Sequence, residues 1–185
     1  MWYAKGKHYR NPDLPGNVFF TTTVLDFVRV FDRLELRTEM ALSLLEDHAH
    51  YTVPLHAFVV MPHHIHYLST VPVERSGPWL MSRIKSNSAR RLLVLLSDFE
   101  RAQFDQQRGL NRRTLWQASY RSVAIANQRM FAQKVRYIHE NPVRAGLCCT
   151  PEEYRWSSAL AHRSGLWDSE NGLDALSVLE SIRGR

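Results

Sequence analysis

The chain has 185 residues and a mass of 21.6 kDa, which suits one compact domain and is too short for two full domains. Hydrophobic residues make up 44% and aromatic residues 11%, a composition that excludes a disordered protein. Lys and Arg total 24 against 18 for Asp and Glu, so the net charge of +6 favours a polyanionic partner. A solvated basic surface without such a partner is the alternative.

No apolar run reaches the roughly 18 residues that would span a bilayer. The opening residues, MWYAKGKHYR, lack the hydrophobic stretch of a signal peptide, so we expect a cytoplasmic protein. The two cysteines, Cys148 and Cys149, are adjacent. They therefore fit neither an ordinary intrachain disulfide nor metal-finger spacing, and we interpret them as reduced thiols.

The first third of the chain predicts a strand, a helix and a pair of strands. Aromatic and β-branched residues follow a Pro-Gly turn signal in NVFFTTTVLD, which predicts a strand over 17–26. Apolar residues then recur at roughly helical spacing over 29–48. The stretch PLHAFVVMPHHIHYLSTV predicts two strands that pivot at Met61-Pro62, because proline does not fit inside a central ladder.

A second long helix is predicted over 79–98, with Lys85, Asn87 and Arg90 facing solvent. The polar stretch FERAQFDQQRGLNRR predicts a loop or hairpin, and 114–126 resumes a strand pattern. A helix follows over 128–141, on which Phe131, Val135 and Ile138 form an apolar stripe.

The order β, α, β, β, α, β, α predicts an α+β domain with helices packed on an antiparallel sheet. Beyond TPEEYRWSSA the chain reads as an irregular appendage with one short helix over 172–183. We therefore divide the chain into a domain, 1–160, and a C-terminal extension, 161–185.

Two histidines interrupt the second strand of the central pair. Because side chains alternate along a strand, His64 and His66 point to one face, two rises of about 3.3 Å apart, while Ile65 and Tyr67 point to the other. Neutral imidazole is the commonest metal-binding side chain, so both rings can bind one ion. The alternative is a pair of partly exposed histidines on a solvated sheet face.

A tyrosine and an asparagine share one face of the 128–141 helix. Tyr137 and Asn141 are four residues apart and are neighbours on a helix, with Lys134 one turn earlier. This face is not the apolar stripe, so core packing explains Tyr137 poorly. Pro142 disfavours helical geometry at the residue before it, which predicts that the helix ends at about Asn141.

Several stretches of the chain together resemble the REP-associated tyrosine transposases, a branch of the IS200-like single-tyrosine transposases within the HUH endonucleases. The stretches are VVMPHHIHYL, LWQASYRSV, VRYIHENPVRAGL and PEEYRWSS. The resemblance covers about residues 15–160 and implies a ferredoxin-like antiparallel sheet, the HUH endonuclease fold. In that family two histidines of a His-hydrophobic-His strand hold a divalent cation, a helix tyrosine attacks a DNA phosphate, and an amide one turn further on completes the metal site. By position these roles fall on His64, His66, Tyr137 and Asn141.

The resemblance implies a strand transferase that cleaves single-stranded or hairpin DNA of repetitive extragenic palindromes through a 5′-phosphotyrosine. It implies a monomer or a homodimer, associated with the bacterial nucleoid. Two imidazole nitrogens and one amide oxygen suit Mg²⁺ or Mn²⁺, whereas Zn²⁺ would suggest a hydrolase. A hairpin-DNA-binding protein without cleavage is the alternative. The family usually has asparagine where this chain has His63, which we expect to point away from the ligand face.

Basic residues interleave with aromatic ones in NRRTLWQASYR and EEYRWSS, which predicts phosphate contacts beside rings on which bases can stack. Trp116 and Trp156 are also open to core or edge packing. Tyr120 and Tyr154 are rival nucleophiles, but neither has a polar partner at helical spacing. The candidate DNA-binding residues are Lys85, Arg90, Arg112, Arg113, Arg121 and Lys134.

Overall fold

The central feature is a four-stranded antiparallel sheet with the strand order β2-β3-β1-β4. The strands are β1 (Gly16–Thr23), β2 (Leu55–Met61), β3 (His64–Val71) and β4 (Arg121–Ala124). Pro62 and His63 form the turn between β2 and β3, so the predicted pivot at Met61-Pro62 is confirmed. This computed structural model describes residues 15–105 and 115–183 of the chain.

Helices cover both faces of the sheet. Two long helices, α1 (Leu34–Tyr51) and α2 (Gly77–Leu95), pack with Ile65 and Tyr67 on one face. On the other face α4 (Gln128–Arg144) packs against a smaller cluster that includes Leu68. The predicted α+β architecture is confirmed. The side chains of β3 alternate between the two faces of the sheet, as predicted.

Local side-chain caps explain where α2 and α4 begin. Ser76 accepts a hydrogen bond from the Trp79 amide at the start of α2, just before a proline that suits the first turn. Asn127 caps α4 in the same way through the Met130 amide at 2.9 Å. The predicted 29–48 helix begins later, at Leu34, because 30–32 form a separate 3₁₀ turn.

The polar stretch after α2 was predicted to be a loop or hairpin, and this is wrong for its first part. Residues Asp98–Asp105 form helix α3. The Ser97 hydroxyl accepts from the Glu100 amide at 3.2 Å, while the Glu100 carboxylate accepts from the Ser97 amide at 2.7 Å. This reciprocal capping box stabilises the first turn. The remainder of the stretch, with Arg112 and Arg113, lies outside the described residues.

Helix α4 does not end at Asn141 as predicted but continues through Pro142 to Arg144. Proline removes one helical hydrogen bond, yet its ring is buried four residues after buried Ile138, on the same stripe. The Asn141 side-chain amide also donates to the Tyr137 carbonyl at 2.7 Å, which adds a bond in that turn. Burial and this extra bond offset the local preference against helix.

The C-terminal part packs onto the sheet. It contains a short helix, α5 (Ala159–Arg163), a two-stranded ribbon of β5 (Trp167–Asp168) and β6 (Gly172–Leu173), and α6 (Ala175–Arg183). Val178, Leu179 and Ile182 of α6 join the core under α1. None of the helices within the described ranges is long and apolar enough to cross a membrane.

Candidate metal and nucleophile site

The two histidines of β3 lie side by side on the sheet face that α4 covers. Their Nε2 atoms are 3.1 Å apart. His66 is 5% exposed, and its other ring nitrogen, Nδ1, lies 2.8 Å from the Thr21 hydroxyl on β1. Thr21 pairs directly with His66 in the β1–β3 register, so sheet pairing orients the ring. The alternation predicted for β3 therefore brings both Nε2 atoms to one point.

Burial keeps this pair neutral. It lowers the pKa of His64 to about 4, with a smaller contribution from the neighbouring His63. The pKa of His66 is held well below its usual value by burial first and by the nearby His64 second. When His66 donates its Nδ1 proton to Thr21, its Nε2 carries a free lone pair, as a metal ligand requires.

The geometry of the pair fits one divalent cation. Two nitrogens bound at about 2.1 Å and at a right angle lie about 3.0 Å apart, close to the observed 3.1 Å. The described residues contain no cluster of three or more His, Cys, Asp or Glu side chains that could hold a metal. Within the described ranges the candidate metal site therefore rests on this pair of imidazoles.

Tyr137 reaches the pair from α4 of the same chain. Its ring centroid lies 5.4 Å from that of His66 and 5.8 Å from that of Phe19 on β1. The side chain is half-buried at the edge of the smaller core cluster. A phenol in this position contacts the imidazole site and still reaches solvent.

Asn141 and Lys134 flank Tyr137 on the same helix. Asn141 uses its amide nitrogen to bond the Tyr137 carbonyl, and this bond does not involve its Oδ1 atom. The Lys134 ammonium lies 4.7 Å from the Phe19 ring centroid and 5.4 Å from that of Tyr137. Burial lowers the pKa of Lys134. The Lys134 ammonium thus lies beside the Tyr137 ring.

The other predicted DNA contacts are spread over both faces of the sheet. Arg121 pairs with Thr21 in the β1–β4 register, so its exposed side chain shares the face of His66. Arg90 is exposed on α2, beyond the opposite face. Lys85 was expected to face solvent, and this is wrong: its ammonium donates to the carbonyls of residues 117–119 at 2.8–3.3 Å. Burial lowers its pKa to about 8.

Two other side chains, His63 and Tyr154, lie close to the alternatives that the sequence left open. His63 lies in the turn, where strand alternation does not apply, and its ring is 4.6 Å from that of His64 rather than turned away. Tyr154 is 4% exposed and donates to the Val60 carbonyl at 2.8 Å. Burial raises the pKa of Tyr154 to about 12, which makes it a poor nucleophile.

The tryptophans take structural positions. Trp116 is 4% exposed and donates to the Ser88 hydroxyl at 3.0 Å. Trp156 donates to the Thr38 hydroxyl, and the Arg37 guanidinium lies 4.6 Å from its ring centroid.

Sequence reasoning missed Thr21, since only the pairing of β1 with β3 shows that this threonine orients His66.

One known protein family matches this chain. A family model described as "Transposase IS200 like" matches residues 29–141, more than half of the chain. The chain belongs to the IS200-like transposase family. Membership of this family makes it a DNA-processing enzyme of a generally metal-dependent class. No curated protein matches this IS200-like chain.

The fold of this chain is similar to that of a solved transposase structure. A REP-associated tyrosine transposase, solved bound to a REP hairpin, superposes with a TM-score of 0.63 at 19% identity, covering 90% of this chain and 97% of its own. A candidate transposase from Deinococcus radiodurans R1 has a TM-score of 0.48 at 20% identity, covering 74% of this chain and 96% of its own. The first likeness confirms the predicted HUH endonuclease fold.

Proposed function

We propose that this protein is a metal-dependent endonuclease and strand transferase that cleaves hairpin DNA of repetitive palindromes through a covalent phosphotyrosine on Tyr137. The observation that carries the proposal is the 5.4 Å separation between the rings of Tyr137 and His66, within one chain and at a half-buried surface. A protein that only binds DNA has no need for a phenol beside a neutral imidazole pair.

His64, His66 and the amide oxygen of Asn141 would hold Mg²⁺ or Mn²⁺. When bound, the cation polarises the scissile phosphate and offsets the charge that develops on its nonbridging oxygens. The imidazole pair supplies two lone pairs because both rings are neutral, and Thr21 fixes the orientation of His66. The protein therefore provides a partial shell and leaves positions for phosphate oxygens.

Tyr137 provides the nucleophile. Its phenol oxygen forms a bond to phosphorus while the bond from phosphorus to the 3′ oxygen breaks, and the phenolic proton is lost to solvent. The departing 3′ oxygen takes up a proton and becomes a free hydroxyl. Because the phosphotyrosine is itself a phosphate ester, a second 3′-hydroxyl can reverse the step and join strands without ATP.

Lys134 and Arg121 would contact phosphates beside the nucleophile, since both lie on the Tyr137 side of the sheet. Arg90, Arg112 and Arg113 stay predictions as contacts to a more distant part of the DNA. The net charge of +6 and the fold shared with a protein solved bound to a REP hairpin support hairpin DNA as the partner. This substrate would bring the protein to the bacterial nucleoid.

The test is a denaturing-gel assay with a labelled hairpin that carries single-stranded flanks, incubated with Mg²⁺ or Mn²⁺. We expect a covalent protein–DNA adduct that chelator abolishes and that Tyr137→Phe lacks. Tyr51→Phe, which removes a hydroxyl bonded to Asn87 beyond the opposite sheet face, should retain the adduct. Tight binding without an adduct would favour the alternative of a hairpin-binding protein.

The metal ligands can be tested without cleavage. Binding of Mn²⁺ alone, followed by electron paramagnetic resonance, should weaken in His64→Ala and His66→Ala. The matched control is His50→Ala, which removes an exposed imidazole at the end of α1. Unchanged Mn²⁺ binding in the β3 variants would contradict the assignment.

We further propose that one chain acts alone, since its own Tyr137 lies beside its own histidine pair. Mixing Tyr137→Phe with His64→Ala protein should then restore no adduct, whereas a homodimer with exchanged tyrosines would recover it.

A further inference from the structure

A row of rings leads from the nucleophile to an exposed phenylalanine. Beyond Tyr137 and His66, the centroids of His66 and His64 are 4.6 Å apart, as are those of His64 and His63. The row ends at Phe27, whose ring lies 5.8 Å from His63 and is 62% exposed. An aromatic face is therefore presented to solvent at the open end of the imidazole site.

The backbone at Phe27 is strained. Asp26 and Phe27 have φ angles of 50° and 60°, so two consecutive residues other than glycine occupy the left-handed region. This region is uncommon for bulky side chains and carries an energetic cost at each such residue. Burial of the Phe27 ring cannot compensate for this cost, because most of the ring is exposed.

The loop that holds Phe27 is fixed on both sides. The Val24 amide donates to the His63 carbonyl at 2.8 Å, and the Phe31 amide donates to the Pro62 carbonyl at 3.0 Å. Phe31 itself is fully buried. The loop is thus tied to the turn that precedes His64, and the exposed ring has a defined position relative to the site.

A guanidinium accompanies the ring. Arg29 is two residues after Phe27 and is exposed, with its Nε atom 2.7 Å from a carboxylate oxygen of Asp32. A second bond, from Arg29 Nη2 to the other Asp32 oxygen at 3.1 Å, makes this pair bidentate, but both side chains are exposed, so solvent and salt screen the pair and a phosphate can compete for the guanidinium. An aromatic face and a cation on one rigid loop are the elements that single-stranded nucleic acid requires.

We propose that Phe27 is a stacking platform for an unpaired base of the DNA strand, a few nucleotides from the phosphate that Tyr137 attacks, with Arg29 on a neighbouring phosphate. The identity of the ligand rests on the proposed function. The Phe27 ring is exposed, its backbone is strained, and its loop holds it in a defined position. A base stacked on the ring excludes water from the face that the fold leaves uncovered.

The test measures binding, not cleavage. All proteins carry Tyr137→Phe, and the probe is a fluorescent hairpin with a single-stranded flank. Stacking is worth about 1–3 kcal/mol per base, so Phe27→Ala should raise Kd about 5- to 150-fold and Phe27→Tyr should restore most of the affinity. The matched control, Phe99→Ala, removes a 77% exposed ring on α3 and should leave Kd unchanged.

A scan of single abasic positions along the flank identifies the stacked base. At one position the abasic probe should bind the parent and the Phe27→Ala variant equally, because the Phe27 ring then has no base to contact.

Phe27→Gly should unfold at the same temperature as the parent or higher, since glycine relieves the strained φ. It should nevertheless bind the intact probe weakly.

The inference is overturned if Phe27→Ala binds the intact probe like the parent, or if its loss of affinity is the same at every abasic position. Either result leaves the proposed function standing, provided that the parent binds the hairpin. If the parent binds no hairpin or single-stranded DNA at all, both the proposed function and this inference fail.

Discussion

Ser158 joins helix α4 to the edge strand β2 of the sheet. Its hydroxyl accepts from the Phe58 amide at 2.9 Å and lies 2.8 Å from Nε2 of His139 on α4. The residue is fully buried. The hydroxyl proton has two possible acceptors, His139 at 2.8 Å and the Phe58 carbonyl at 3.4 Å, and we assign it to the shorter bond, which it donates to His139. Burial lowers the pKa of His139 to about 3, so this ring is neutral and can accept.

Ser158→Ala should therefore destabilise the protein. It removes two bonds and leaves the buried Phe58 amide and the nitrogen of the half-buried His139 without these partners, at up to about 1–3 kcal/mol for each group. Partial relaxation reduces the total, so we expect the free energy of unfolding to fall by about 2–4 kcal/mol. Since His139 is two residues from Tyr137, the rate of adduct formation should fall as well.

Ser43→Ala is the matched control. Ser43 is also fully buried, but its hydroxyl has no hydrogen-bond partner among the described residues. Removing an unsatisfied hydroxyl should be neutral or slightly stabilising. Urea unfolding followed by circular dichroism measures both changes. The reasoning is refuted if Ser158→Ala lies within about 0.5 kcal/mol of the wild type, a change typical of neutral surface substitutions, or if both variants lose the same stability.

Three further predictions use other parts of the fold. Gly172→Ala should lower the free energy of unfolding by more than Gly165→Ala in urea titrations, because both glycines have positive φ but only at Gly172 would the new Cβ lie 2.6 Å from a β2 carbonyl oxygen; equal losses would contradict this. Burial lowers the pKa of His48 from 6.5 to about 4. The unfolded chain therefore takes up this proton first, and stability that is complete above about pH 6.5 falls toward pH 4 by roughly 3 kcal/mol. His48→Gln should flatten that profile, and an unchanged slope would count against a buried neutral ring. Lys134→Gln should weaken binding of single-stranded DNA and reduce the slope of the logarithm of the binding constant against the logarithm of salt concentration by about 0.7, which corresponds to one phosphate contact. A larger effect of Arg90→Gln would place the strand on the opposite face.

Part of this molecule was predictable because the signals are local. The alternation of His64, Ile65, His66 and Tyr67 predicted which side chains share a face, and the pivot at Met61-Pro62 separated two strands as expected. The start of α3 also has a local signal, since Ser97 and Glu100 have the spacing of a capping box.

Local preference failed where burial opposed it. Pro142 predicted the end of α4, but the helix continues because the ring completes a buried stripe. Lys85 looked solvent-facing on a helix, yet the chain at 117–119 returns beside it and supplies three carbonyl acceptors. Both outcomes depend on contacts between residues that are distant in sequence or on packing that periodicity does not describe.

The sequence by itself determined the family resemblance, the types of side chain available for metal and nucleophile, and the face of β3 that carries them. Only the tertiary structure decided that β1 lies between β3 and β4, so that Thr21 bonds His66, and that α4 brings Tyr137 to the histidines of its own chain. The physical reason is that strand order and helix placement follow from burying apolar faces against each other, and local periodicity specifies those faces without specifying their partners.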